Sequence, residues 1–363
     1  MTELIDVIIP SKYKKFLEEE LTLVKTVYSN INKVYIIRKP NPKYYISLNK
    51  LEDIKNNESN KIVIMDKVKP SQIINVMRET KKEVLDRVLL ILEIFALHAG
   101  SKEAKLQIEL AKLKHQLPLI KEAIRYAKLK ELHGFLGAGR YGYEKYYTMT
   151  RKREARIRRE LEELRKTRAL RRQKRRELGY IHVAIVGYTC AGKTTLFNTL
   201  TRLNKPVGPE PFTTLSPKSR AVEILGHKVI FTDTVGFIRD LPPEIIESFY
   251  ATLEEIIDAN IIIHVVDFSK DANQIIKEII ETRKILEKIG IHGKPIILAL
   301  NKIDLVDSIG EKINAILKHL ENNEIIIPIS AIKKTNIEKL LWFIKQVIAG
   351  KSIDKNICAK IWA

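Results

Sequence analysis

The stretch GYTCAGKTT, Gly187–Thr195, decides how the C-terminal half of this chain is read. It follows the apolar run HVAIV and precedes the helix-forming LFNTLT, which is the strand-to-helix context that G-x-x-x-x-G-K-[ST] requires. In such a loop the backbone N–H groups of Gly187, Tyr188, Thr189, Cys190, Ala191 and Gly192, with the start of the helix at Lys193, Thr194 and Thr195, hold the α- and β-phosphates of a nucleotide. Lys193 is expected to reach the β- and γ-oxygens, and the Thr194 hydroxyl to ligate Mg²⁺.

Downstream motifs extend the site. Asp233 ends the strand KVIFTD, placed to hold the magnesium through water, and Gly236 can offer its N–H to a γ-phosphate. Between them and the phosphate loop lies PEPFTTLSPKSR, polar and proline-rich, which reads as a switch loop. Within it Phe212 lies beside the nucleotide, and Thr214 is the candidate for a hydroxyl that joins the magnesium only in the triphosphate state; Thr213 is its rival. NKID, Asn301–Asp304, follows the strand IILAL. A carboxylate at Asp304 accepts two hydrogen bonds from the ring N–H and amine of guanine, whereas adenine would leave it unpaired. Asn301 and Lys302 support the base and its loop, and Ser330, Ala331 and Ile332 follow a further strand and touch the base through backbone N–H groups. NKLE at Asn49 is a decoy, read as an ordinary loop. Lys193, Thr214 and Gly236 are therefore the expected catalytic set, with Thr194, Thr214 and Asp233 around the metal.

Five strand-like runs, HVAIVG, KVIFTD, IIIHVVDF, PIILALN and EIIIPIS, alternate with helical stretches over 180–349. Their near-continuous Ile and Val content implies strands buried on both faces, hence a doubly wound, mostly parallel sheet. Residues 1–80 interleave IDVIIP, KVYIIRK, YYISL and KIVIMD with helical SKYKKFLEEEL and PSQIINVMRETKKEV, a small α/β domain. From Val84 the pattern turns helical. Leu106, Leu110, Leu113, Leu117 and Ile120 form a heptad-like stripe, and Pro118 should kink or end that helix. The glycine-rich HGFLGAGRYG cannot hold a helix, and a second long helix then runs to Gly179, giving an antiparallel helical hairpin over 81–179. The tail 350–363 carries no readable signal.

The chain has 363 residues, with 64 Lys and Arg against 44 Asp and Glu, a formal charge of +20 that favours polyanionic partners. Residues 151–176 hold 14 Lys and Arg against 4 Glu, a net +10 on one helix. Arg140, Arg151, Arg153, Arg158, Arg171, Arg172 and Arg175 are candidate RNA contacts, and Tyr143, with the neighbouring tyrosines, can stack on unpaired bases. Two cysteines exclude a disulfide framework, and neither a signal peptide nor an apolar run long enough for a bilayer is present. The expectation is a soluble, cytoplasmic monomer that makes no membrane contact.

GYTCAGKTTLFNTLT, PFTTLSP and DTVGFIRDLP, with LDRVLLILEIFALHAGSKEAKLQIELAKLKHQLPLI upstream, resemble the HflX GTPases over about residues 60–349. The resemblance implies a cytoplasmic, Mg²⁺-dependent GTPase that binds GTP and GDP, associates with the large ribosomal subunit and its rRNA, and is stimulated by it. Two positions depart from the family. Cys190 stands where those loops usually carry an Asn that can help coordinate potassium, and the hairpin tip reads Gly139-Arg140-Tyr141-Gly142-Tyr143-Glu144 where the family has Gly-Pro-Gly-Glu. Phe237 occupies the place at which many GTPases carry the glutamine that orients water, and the family too is hydrophobic there. Slow intrinsic turnover and dependence on a partner are expected, with Arg220 or Arg239 as candidate charges in cis. A GTPase acting on free RNA, and a scaffold that holds GTP without turnover, are the alternatives.

Overall fold

The structure is a computed structural model that describes residues 3–128, 140–203, 218–224, 226–240, 242, 245, 250–321 and 324–350. These fall into two compact units, Met1–Leu164 with Pro242–Ser248, and Arg165–Leu241 with Phe249–Ala363.

In the first unit β1 (Leu4–Pro10), β2 (Asn30–Ile37), β3 (Lys61–Ile64) and β4 (Glu83–Asp86) form a parallel sheet in the order β2-β1-β3-β4. Between them run α1 (Leu17–Lys25), α2 (Leu48–Asn56) and α3 (Pro70–Thr80). Ile8, Ile62, Ile64 and Val84 of the sheet pack with Leu51, Ile54, Ile73 and Val76 of the helices. YYISL is not a strand: Asn41 and Tyr45 close an isolated bridge, and the helix α2 starts at Leu48, so NKLE lies in a helix and not in a loop. EVLD, read as helical, is instead the strand β4, ended by Asp86, whose carboxylate caps the next helix α4 (Arg87–His98) by accepting from the Leu89 N–H at 3.0 Å. Four residues are too few to show a period of their own, which hid β4 between two helices.

Helix α5 (Lys102–Lys128) carries Pro118 without ending there. Its buried residues are Leu106, Ile108, Ala111, Leu117, Ile120 and Ala123, a broader face than a heptad stripe, because it packs against α3 and α4. The last long helix, α6 (Arg140–Glu177), begins inside the glycine-rich stretch, with Gly142 helical. Lys102–Glu160, Arg153–Glu109 and the Lys121 ammonium over the Tyr147 ring pair α5 and α6 in opposite directions. No described helix is long and apolar enough to cross a membrane.

The second unit holds β5 (Ile181–Val186), β6 (Lys218–Ile224), β7 (His227–Asp233), β8 (Ile261–Asp267), β9 (Ile296–Asn301) and β10 (Glu324–Pro328) in the order β10-β9-β8-β5-β7-β6. Only the β6–β7 pair is antiparallel. Lys218, Ser219 and Arg220, which the sequence places at the end of the switch loop, open strand β6, whose exposed, charged residues mark an edge strand. Residues Ile297 and Ala299 of β9 pack in one core with Phe197 of α7 (Lys193–Thr201) and Leu340 and Phe343 of α11 (Ile337–Ile348). Leu298 and Leu300 of the same strand pack on the other face, with Ile275 and Ile279 of α9 (Ala272–Lys288) and Ile313 and Ile316 of α10 (Gly310–Leu317). The remaining helix, α8, spans Tyr250–Ile257. The sheet is therefore covered on both faces, and ligands in such sheets bind at the carboxyl ends of the strands.

Candidate nucleotide site

Every described motif lies at those carboxyl ends. The loop after β5 turns through Cys190 and Gly192, both with positive φ, and enters α7 at Lys193. A Cβ on Gly192 would meet the Asn301 amide, and one on Gly236 would lie 2.8 Å from Thr189 Cγ2 and 2.9 Å from Lys193 Nζ, so both glycines permit close approach. The two loops are tied together: the Phe237 N–H donates to the Gly187 carbonyl at 2.9 Å, and the Thr189 N–H to the Phe237 carbonyl at 2.8 Å. The Phe237 side chain is 4% exposed.

Lys193 is buried, and its ammonium donates to the Tyr188 carbonyl at 2.6 Å. Burial pulls its pKa down to about 8, against the opposing pull of Asp233. The Thr194 hydroxyl donates to Asp233 Oδ2 at 2.9 Å. A hydroxyl and a carboxylate so close make an oxygen donor set that suits magnesium. Tyr188 is buried, donates its hydroxyl to Glu281, and has its phenol pKa pushed up by burial and that carboxylate. Cys190 reaches solvent, yet the packing around its sulfur raises the thiol pKa, which is the opposite of an activated thiolate.

Asn301 is a structural bridge. Its amide donates to the Ala191 carbonyl at 2.9 Å, and its carbonyl accepts from the Ala331 N–H at 2.9 Å. Lys302, at φ 71°, pairs with Asp267 at 2.6 Å. Asp304 Oδ1 is buried with no hydrogen-bond partner among the described residues, an acceptor that suits the paired donors of guanine. Buried Ser330 and Ala331 and exposed Ile332 follow β10; Ser330 Oγ accepts from the Lys333 N–H at 3.1 Å, and Thr199 donates to the Ala331 carbonyl at 2.9 Å. Thr195 accepts from Thr199 through its carbonyl at 3.0 Å. Sequence reasoning passed over Asp267, although it ends an apolar strand as Asp233 does. It also missed Glu281, for which position in sequence carried no signal.

Phe212, Thr213 and Thr214 lie outside the described residues, as do the side chains of Arg140 and Tyr143. The other basic candidates are on α6. Arg151 pairs with Glu154 at 3.2 Å, Arg158 bonds Glu154 at 3.0 Å, and Arg153 holds Glu109 at 2.7 Å. Arg172 meets Asp258 at 2.6 Å and Arg175 meets Glu255 at 3.3 Å, while Arg171 is exposed. Arg220 is exposed, but Arg239 is buried rather than solvated.

Comparison with known proteins fits this geometry. Residues 182–302 match the family model described as a 50S ribosome-binding GTPase, residues 98–175 the middle region and residues 14–96 the N-terminal region of GTP-binding GTPases. GTPase HflX of Hyperthermus butylicus is 48% identical over 83% of this chain and 82% of its own. The HflX of Saccharolobus solfataricus is 43% identical over 90% and 94%. A crystal structure of a GTP-binding protein from Sulfolobus solfataricus in complex with GDP is 36% identical, covers 96% of this chain and 99% of its own, and superposes with a TM-score of 0.53. Identity of this extent, over nearly the whole of both chains, places the protein: it belongs to the HflX family of GTPases.

Proposed function

We propose that this GTPase acts on the large ribosomal subunit, and that docking there completes an active site which turns over slowly alone. The observation that carries the reading is Phe237. It stands where a water-orienting amide is needed, its main chain is fastened to the phosphate loop, and its ring is buried. A side chain so held makes a wall and cannot position water, so the missing charge or amide must come from a partner or from a rearranged switch. The family model's description as ribosome-binding supports the choice of partner.

In this reading Lys193 binds the β- and γ-oxygens, Gly236 offers its N–H to the γ-phosphate, and Thr194, Asp233 and Thr214 hold Mg²⁺, which neutralises charge on the phosphates. Asp304 selects guanine, with Asn301 and Lys302 fixing its loop and Ser330, Ala331 and Ile332 lining the base. Cys190 lacks the amide that could help bind potassium, so potassium leaves the rate unchanged. The α6 helix contacts rRNA through its exposed arginines, Arg171 among them, while the paired ones must exchange a carboxylate for a phosphate.

Single-turnover GTP hydrolysis, with and without purified large subunits and beside Lys193→Ala, tests the reading. Acceleration by the subunit is the expected result. A rate unchanged by subunits but raised by protein-free structured RNA would favour the free-RNA reading.

A further inference from the structure

Asp233 is the last residue of β7 and is flanked by two threonines, Thr232 and Thr234, each fully buried. A buried strand of a parallel sheet ordinarily carries Val or Ile at such places, and burying a hydroxyl is costly unless it is hydrogen-bonded. Both hydroxyls are bonded to neighbouring strands. Thr234 donates to the Ile185 carbonyl of β5 at 2.7 Å. Thr232 Oγ1 lies 2.7 Å from His182 Nε2 on β5 and 2.8 Å from Ser219 Oγ on β6. Ser219 and Thr232 are direct cross-strand partners, so the chain of contacts runs from the strand that feeds the phosphate loop, through β7, to the strand that leaves the switch loop. His182 is in turn 3.5 Å from Glu255, which pairs with Arg175 of α6.

We propose that Thr232 is a positioning residue of the nucleotide site: its hydroxyl, held between His182 and Ser219, fixes the end of β7 so that the Asp233 carboxylate stays in line with Thr194. Thr232 touches neither nucleotide nor metal, and acts through the placement of its neighbour. Valine fills nearly the same space as threonine, so Thr232→Val removes the hydroxyl and its two hydrogen bonds with little change in side-chain volume. This inference needs the nucleotide site alone and is independent of any ribosomal partner.

The test measures release of a fluorescent GDP analogue from the full chain across a range of Mg²⁺ concentrations. Thr232→Val should raise the Mg²⁺ concentration for half-maximal slowing of release about tenfold, the lower end of what lost outer-shell contacts cost a metal site. Release in excess EDTA should stay within about twofold of wild type, and Thr232→Ser should restore the Mg²⁺ response. A Thr232→Val protein with an unchanged Mg²⁺ response overturns the proposal, as does a defect that Thr232→Ser fails to reverse. Should Thr232→Val not fold, Ser219→Ala on the exposed edge strand decides. It removes one of the two bonds, so a shift of the same sign and smaller size supports the role, and no shift overturns it.

Discussion

The two sheets of this molecule, one parallel throughout and one parallel but for its β6–β7 edge pair, are both interleaved with helices, yet their buried polar groups are arranged for different ends. In the first unit, charge is closed on itself. Asp6 is fully buried and accepts from Asn32 at 3.0 Å, Asn57 at 2.7 Å and Ser59 at 2.7 Å; Lys82 donates to Asn57 Oδ1 at 2.6 Å and to Ser59 at 2.9 Å. Arg87 and Glu20, both buried, pair with each other, and Asp86 accepts from His115 at 2.8 Å. In the second unit, loops at the strand ends bring together groups whose chemistry suits a ligand: the buried Lys193, the Thr194–Asp233 pair, and Asp304 Oδ1. Architecture alone therefore does not make a binding site; what matters is which groups the loops at the strand ends bring together.

Mutation should separate the two arrangements. The largest effect is expected in the first unit. Arg87→Met removes the cation paired with the buried Glu20 and should cost about 3–5 kcal/mol in denaturant unfolding, whereas the double variant Arg87→Met, Glu20→Leu should recover most of that loss. A single variant as stable as wild type would mean the pair is not a closed unit.

The second unit should answer to acid. Burial holds His182 at a pKa of about 4 and His264 at about 3, below the ordinary 6.5. Above pH 6.5 both are neutral whether the chain is folded or not; as pH falls below 6.5 the unfolded chain takes up protons first. Stability is thus lost from pH 6.5 down towards pH 4, by on the order of 3 kcal/mol per group. Thermal melts at pH 7 and pH 5 check this, and His182→Gln should flatten part of the slope.

Asp304→Asn should leave folding intact and weaken GDP binding by about 1–3 kcal/mol, because an amide offers a donor where guanine presents donors. Titration with xanthosine diphosphate, which carries a carbonyl in place of the amine, should recover the affinity; equal losses for both nucleotides would remove Asp304 from base recognition. The smallest effect belongs to the surface. Lys33 and Asp53 pair at 2.6 Å with both side chains well exposed, and Lys33→Ala should leave the melting temperature within about one degree.

The sequence by itself determined the parallel strands of the C-terminal half and the motifs at their ends. A phosphate loop, an aspartate ending a strand and the NKID stretch each need a fixed local geometry, and short motifs with fixed geometry survive in one dimension. Near-continuous Ile and Val runs also announced strands covered on both faces. The short strand β4, the edge strand β6 and the helix α2 over NKLE were decided by tertiary packing, because four to nine residues carry too little periodicity to outweigh their neighbours, and the 27-residue α5 continues through Pro118 while packed against α3 and α4. Tertiary structure alone also brought Asn301 between Ala191 and Ala331, pinned Phe237 to Gly187 and Thr189, and set Thr232 between His182 and Ser219. Each of these contacts joins residues far apart in the chain, and a hydrogen bond between distant segments leaves no periodic trace in either of them.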